Sequence, residues 1–216
     1  MEHPVLIRIR REGFEPLGWF APEDMAGVSF VILIGNAGAA MFQRFARERN
    51  PDRDSMDEWT KSTVDGFAGE LGARAAYPFD VPHQPFLTWA RHGGAGHTSL
   101  LGLNIHPQFG LWHAYRAALL FPVAFDIPPA DPGPNPCKAC HDKPCLAACP
   151  VSAFDGRSYD VRACGGHLQS LEGKECLQHG CKARLACPVG TNFRYEAPQT
   201  QFHMRAFLKA RQRELS

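Results

Sequence analysis

Apolar residues fall into runs along this chain, and the spacing within each run predicts an element. GVSFVILIGN (27–36) is unbroken, rich in β-branched residues and closed by glycine, the pattern of a buried strand. AAMFQRFARERN (39–50) places its apolar residues at helical spacing and ends in charge, so it reads as an amphipathic helix. MDEWTKSTVDGFAGELG (56–72) predicts a second helix stopped by Gly72. ARAAYPF (73–79) predicts a short strand, and QPFLTWARHG (84–93) a helix ended by Gly93-Gly94. LGLNIHPQFG (101–110) and HAYRAALLFPVAF (113–125) read as two strands joined by a turn near Gly110, although AYRAALL fits a helix as well. TQFHMRAFLKARQREL (200–215) is an amphipathic C-terminal helix whose Arg205, Lys209, Arg211 and Arg213 suit a helix C-terminus and read as a solvated face.

Strands and helices interleave up to residue 125, which predicts a layered α/β or α+β domain. IPPADPGPNP (127–136) then places five prolines in ten residues, a stiff linker and an expected boundary. The expected organisation is a cysteine-free α+β domain at 1–126, the linker at 127–136, a cysteine-rich domain at 137–195 and a C-terminal helix at 196–216. Composition agrees with a folded protein: 44% hydrophobic, 21% charged, fifteen Phe and four Trp. The net charge of +1 gives no reason to expect DNA or an acidic membrane as a partner; RNA is not expected either, although this balance does not exclude it. MEHPVLIRIRREGF breaks its apolar run with arginines, so no secretory signal is legible, and Val28 to Gly35 is too short to cross a bilayer. A cytoplasmic location is expected, where cysteines serve as metal ligands more often than as disulfides.

All eight cysteines lie beyond residue 136. Cys137, Cys140, Cys145 and Cys149 stand in CKACHDKPCLAACP; Cys164, Cys176, Cys181 and Cys187 follow, and ACPV occurs at both 148–151 and 186–189. Four thiolates hold one [4Fe–4S] cube, so eight would hold two. In two-cluster ferredoxins the cysteine before proline ligates the other cluster. Applied here, cluster I takes Cys137, Cys140, Cys145 and Cys187, and cluster II takes Cys149, Cys164, Cys176 and Cys181. The spacing departs from the ferredoxin run C-x2-C-x2-C-x3-CP. His141, Asp142, Lys143 and Pro144 separate the second and third ligands, and the second half is looser still. Two four-cysteine zinc sites, disulfides, or one cluster with four spare cysteines remain open.

His141 and His179 lie inside the ligand loops and read as solvent-facing. The chain has no H-E-x-x-H, no G-x-S-x-G and no Walker A loop. GGAGHTS (93–99) is glycine-rich: either the glycines let a flat cofactor approach the backbone, or they make an ordinary loop.

Together, ARHGGAGHTSLLGLNIHPQFGLWHAYRAALLF (90–121), CKACHDKPCLAACPVSAFDGRSYDVRACGGHL (137–168) and RREGFEPLGWF (10–20) resemble the epoxyqueuosine reductase family of iron–sulfur proteins, relatives of reductive dehalogenases and cobalamin-processing proteins. The resemblance implies an α+β fold: a nitroreductase- or flavin-reductase-like layered N-terminal domain followed by a small two-cluster ferredoxin-like domain and a C-terminal helix. It implies two [4Fe–4S] clusters, cobalamin held against the N-terminal domain, and an external low-potential electron donor such as a ferredoxin, flavodoxin or reductase. It places Gly93, Gly94, Gly96, His97 and Thr98 as corrinoid contacts. The family's Asp-Tyr-His motif is absent; YPFDVPHQPF (77–86) offers Asp80 and His83 instead, and His97 stands near the place of the family's GKN lysine. Those three are the catalytic candidates. The expected function is an iron–sulfur oxidoreductase passing single electrons to a bound cofactor or its substrate. A ferredoxin-type carrier whose N-terminal domain docks a redox partner, and a zinc-stabilised interaction module, are the alternatives.

Overall fold

The computed structural model describes residues 2–50 and 55–215, without the side chains of 213–215. The chain forms two units: Met1–Gly96 with His113–Gly133, and His97–Trp112 with Pro134–Ser216.

In the first unit, Pro4 opens helix α1 (Pro4–Arg11), whose buried Val5, Leu6 and Ile9 sit at helical spacing. Strand β1 (Glu15–Phe20) follows, then β2 (Phe30–Ala37), α2 (Ala40–Glu48), α3 (Met56–Glu70), β3 (Arg74–Ala76) and α4 (Phe86–His92). The long strand β6 (His113–Phe121) returns to this unit after two short strands, β4 (His97–Thr98) and β5 (Asn104–Ile105). The sheet order is β1-β2-β6-β3, antiparallel throughout. Helix α3 begins at a capping box in which Ser55 and Glu58 each satisfy the other's backbone amide.

Side chains alternate across the sheet, and both faces are covered. Val31, Leu33, Ala118 and Leu120 meet Phe86, Trp89 and Ala90 of α4. Their neighbours Ile32, Ile34, Ala117, Leu119 and Phe121 are fully buried as well. Helix α2 packs on β2, and α3 on β3 and β6. These helices bring Phe45, Trp59 and Phe67 together around Phe14, with Phe45 and Trp59 ring centroids 5.5 Å apart. Double coverage explains why 27–36 reads as a continuous apolar run rather than an alternation.

The second unit holds the cysteines on short helices: α5 (Pro136–Ala139), α6 (Pro144–Ala147), α7 (Val161–Gln169), α8 (Lys174–His179) and α9 (Lys182–Leu185). A 3-10 turn (Thr191–Phe193) and the long helix α10 (Ala197–Leu215) complete it. Helix α10 packs along α8 and α7, and α6 packs on α9. Among the described residues no helix is long and apolar enough to cross a membrane.

Two expectations differ from the observed fold. Residues 101–110 do not form a strand beside 113–125: β5 is two residues long and pairs with β4, while β6 lies between β2 and β3. The break after residue 133 falls inside the Pro-rich segment, yet the residues before it are not one body, because 97–112 belongs with the cysteines. The cause is apolar: Leu101, Ile105 and Leu111 bury themselves against Ala183 and Cys187.

Candidate metal centres

Cys137 follows Asn135, whose side chain accepts a hydrogen bond from the Cys137 amide and caps α5. The four residues that separate Cys140 from Cys145 make a tight turn. Lys143 takes a left-handed conformation (φ 42°), its Nζ donates to the Cys140 carbonyl at 3.3 Å, and Pro144 then starts α6. The insertion therefore folds back on itself and keeps Cys145 near Cys137 and Cys140.

Cys187 comes to the same place from the other half of the motif. It follows α9, and α9 rests on α6. A cavity of about 340 Å³ is lined by Cys137, Cys140, Cys145 and Cys187, with Leu100 and Ile105 on its wall. A water molecule occupies roughly 30 Å³ in the liquid, so this space would hold far more than one small molecule or ion. Burial holds the Cys145 thiol above its ordinary range, and the nearby Cys187, Cys137 and Cys140 raise it further. Cys187 is likewise raised by burial first, then by Cys137 and Cys140.

The other four cysteines form a second group. Cys164 lies on α7 and Cys176 on α8. Gly173 joins the two helices so tightly that a Cβ there would stand 1.9 Å from the His167 carbonyl oxygen. Cys181 precedes α9, and Cys149 follows α6. Burial raises the Cys164 thiol, with Cys149 and Cys176 adding to the shift. Burial also raises Cys181, with contributions from Cys164 and Cys149, and Cys176, with a contribution from Cys149. The electrostatic neighbours thus sort the cysteines into two sets of four, and each set takes its Cys-Pro member from the other half of the sequence.

The donor chemistry suits iron–sulfur clusters. Buried thiols raised by one another become thiolates when a cationic centre supplies the compensating charge. A backbone amide already points at sulfur: Ala153 N donates to Cys149 Sγ at 3.3 Å, and the Val189 amide lowers the Cys187 thiol against its burial. Among the described residues no three His, Cys, Asp or Glu side chains converge tightly enough to hold a single metal ion.

Several neighbours of the second group escaped the sequence reading. The Tyr159 hydroxyl neighbours the Cys164 sulfur, and burial followed by that neighbour pushes the phenol well above its usual range. His167 Nε2 lies 3.8 Å from Cys176 Sγ. Near the first group, the Arg184 guanidinium sits 4.5 Å from the ring centres of both Trp112 and Tyr195, and its Nε donates to the Leu111 carbonyl at 2.9 Å. No motif marks these residues, because each works through contacts made only in the folded unit. His141 and His179 are exposed, as expected.

The remaining candidates are divided between the two units. Gly93, Gly94 and Gly96 belong to the first unit, and His97 and Thr98 to the second. The Gly93 carbonyl accepts from Trp19 N at 3.1 Å. Gly94 (φ +61°) lies so close to Ala130 that a Cβ would meet its carbonyl oxygen at 2.1 Å. The room those two glycines leave is therefore taken by the protein's own backbone. His97 and Thr98 form β4 and pair with Ile105 and Asn104. Asp80 Oδ2 accepts from Tyr77 N at 2.7 Å and closes its own turn, while His83 is exposed.

No family model matches the sequence, and no curated protein matches it. Solved structures do. A selenomethionine-labelled epoxyqueuosine reductase shares 14% identity over 91% of this chain and 68% of its own, with a TM-score of 0.52. An epoxyqueuosine reductase solved with an epoxyqueuosine-modified tRNA-Tyr stem loop shares 15% over the same proportions, also with a TM-score of 0.52. The enzyme from Streptococcus thermophilus shares 12% over 85% of this chain and 64% of its own, with a TM-score of 0.52. The chain has the fold of epoxyqueuosine reductases over about two thirds of their length.

Proposed function

We propose that this protein is an iron–sulfur oxidoreductase that moves single electrons through two [4Fe–4S] clusters to an acceptor associated with its sheet-containing unit. The observation that carries the reading is the sorting of the cysteines. Cys137, Cys140, Cys145 and Cys187 surround one cavity, and Cys149, Cys164, Cys176 and Cys181 are electrostatic neighbours in a second group. That sorting supports the crossed arrangement of two-cluster ferredoxins. Such clusters supply reversible one-electron transfer at low potential when bound. The chain's own residues hold the thiolates, direct amides toward sulfur and shield the first group with Leu100 and Ile105.

Likeness of fold to epoxyqueuosine reductases supports the reductase reading but does not fix the substrate. The resemblance implies cobalamin as acceptor. Gly93 and Gly94 leave no room for a corrinoid, because Trp19, Gly18 and Ala130 fill the space beside them.

Anaerobically purified protein should contain about eight irons and eight sulfides per chain. It should also show two cubane signals by electron paramagnetic resonance on reduction. Zinc in their place, or thiols with no inorganic sulfide, would overturn the proposal. The ferredoxin-type carrier is the second reading, favoured by Asp80, whose carboxylate is occupied in a turn rather than presented to a ligand. Hydroxocobalamin separates the two: stoichiometric binding with a shifted visible spectrum favours the reductase, and no binding favours the carrier.

A further inference from the structure

Helix α8 has two functions to fill. Its inner side carries the buried Cys176, and its outer side helps to wall a shallow pocket of about 380 Å³. Lys174, Leu177 and Gln178 come from α8, and Arg205, Leu208 and Lys209 from α10. The two leucines are half-buried and make an apolar floor, while Lys174, Arg205 and Lys209 are exposed around it. None of the three cations has an ion pair among the described residues. The nearest acid of α8, Glu175, is engaged by Lys182, and the exposed Glu172 precedes the helix. By sequence alone the bases of α10 read as a solvated face; the fold adds Lys174 from a second element and an apolar centre between them.

We infer that this pocket is the docking face for a small acidic electron-carrier protein, which passes its electron in at the Cys176 side of cluster II. The inference rests on the two-cluster reading above. A few cations around a small apolar patch match a transient redox encounter, in which charge steers association and a small contact allows rapid release. An RNA backbone would call for a longer basic track. The transfer balances simply: the reduced carrier loses one electron, the cluster that Cys176 helps to hold gains one, and no covalent bond forms or breaks.

The test uses the anaerobic full-length protein with a low-potential flavodoxin and a two-cluster ferredoxin as probes. Binding of at least one of them should weaken steeply with salt and fall by at least about tenfold in the triple variant K174E/R205E/K209E. Charge reversal at Arg157, also on the second unit and exposed, should leave it unchanged. Iron content and cluster spectra of the variant show whether it has folded. A measurement on the unaltered protein guards against a variant that has not: carbodiimide coupling joins lysine amines to carrier carboxylates, and of the six lysines in the chain it should capture Lys174 and Lys209. No binding of either carrier, binding unchanged in the folded triple variant, coupling confined to other lysines, or displacement of the carrier by a tRNA stem loop at lower concentration would each overturn the inference. If the iron and both cluster signals are present, such a result removes the docking face alone; if they are absent, the two-cluster reading itself has failed.

Discussion

Replacing Tyr159 by Phe removes one hydroxyl and little else. The ring stacks on Phe154 at 4.5 Å with planes 11° apart, and phenylalanine keeps that contact. What is lost is a hydroxyl placed to donate to the Cys164 sulfur once that sulfur is a thiolate. A hydrogen bond to a charged group contributes about 1.5–3 kcal/mol. Both redox states of a cluster ligated by Cys164 would keep it, but the reduced state carries one more negative charge and gains more from it. If about 1 kcal/mol of the bond is specific to the reduced state, the one-electron potential falls by roughly 40 mV on its removal. The assay is an anaerobic redox titration followed by electron paramagnetic resonance, with the cluster II signal identified as the one missing from a Cys164→Ser variant. A potential that stays put, or a shift of the other cluster instead, would refute the assignment of Tyr159 to Cys164 and of Cys164 to that centre.

Cys149→Ser should weaken or abolish the cluster II signal although Cys149 lies in the first cysteine run, and Cys187→Ser should do the same to cluster I; loss of the cluster nearest in sequence in both variants would refute the crossed ligation. Arg184→Lys keeps the charge but not the flat guanidinium stacked by Trp112 and Tyr195, and should lower the stability of the second unit by about 1–2 kcal/mol, read as an earlier anaerobic urea midpoint of the cluster absorbance. Desolvation lowers the His106 imidazole to about 4, while its Nδ1 accepts from the amides of Gln108 and Phe109 at 3.1 and 3.2 Å. The unfolded chain, titrating near 6.5, therefore binds the extra proton first: the contribution is whole above about 6.5 and is lost as pH falls toward 4. The slope is at most about 1.4 kcal/mol per pH unit, and less because part of the ring is wet. His106→Asn should flatten the difference between urea midpoints at pH 7 and pH 5, and an unchanged difference would place the acid sensitivity elsewhere.

Where one period dominates, the sequence was easy to read. The apolar run at 27–36 became β2, the segment at 56–72 became α3 with its capping box, and 84–93 became α4. Harder cases had two periods or none. In PVLIRIRR the arginines interrupt the apolar residues almost alternately, which hides the helical spacing of Val5, Leu6 and Ile9 in α1. Strand β1 is broken in sequence by Pro16 and Gly18, and its register shifts between those residues. For 113–125 the choice between helix and strand was settled by tertiary pairing, since β6 lies between two other strands. At the cysteines, spacing alone suggested the two groups, because a short peptide loop can wrap only part of a cube and its fourth ligand must come from elsewhere. Spacing could not reveal Tyr159, His167 or the wall made by Leu100 and Ile105, which come from outside the motif.

The route of the chain has a consequence for cutting it. The polypeptide passes from one unit to the other after residue 96, returns after 112 and leaves again after 133. A ferredoxin-sized fragment starting at the prolines would carry every cysteine yet lack Leu101, Ile105 and Leu111, so Ala183 and Cys187 would lose their cover. Arg184 would lose both Trp112 and the Leu111 carbonyl. During synthesis residues 97–112 leave the ribosome before the first cysteine. Excision of the redox part as a transplantable cassette must therefore bring residues 97–112 along, joined by a new connection in place of residues 113–133.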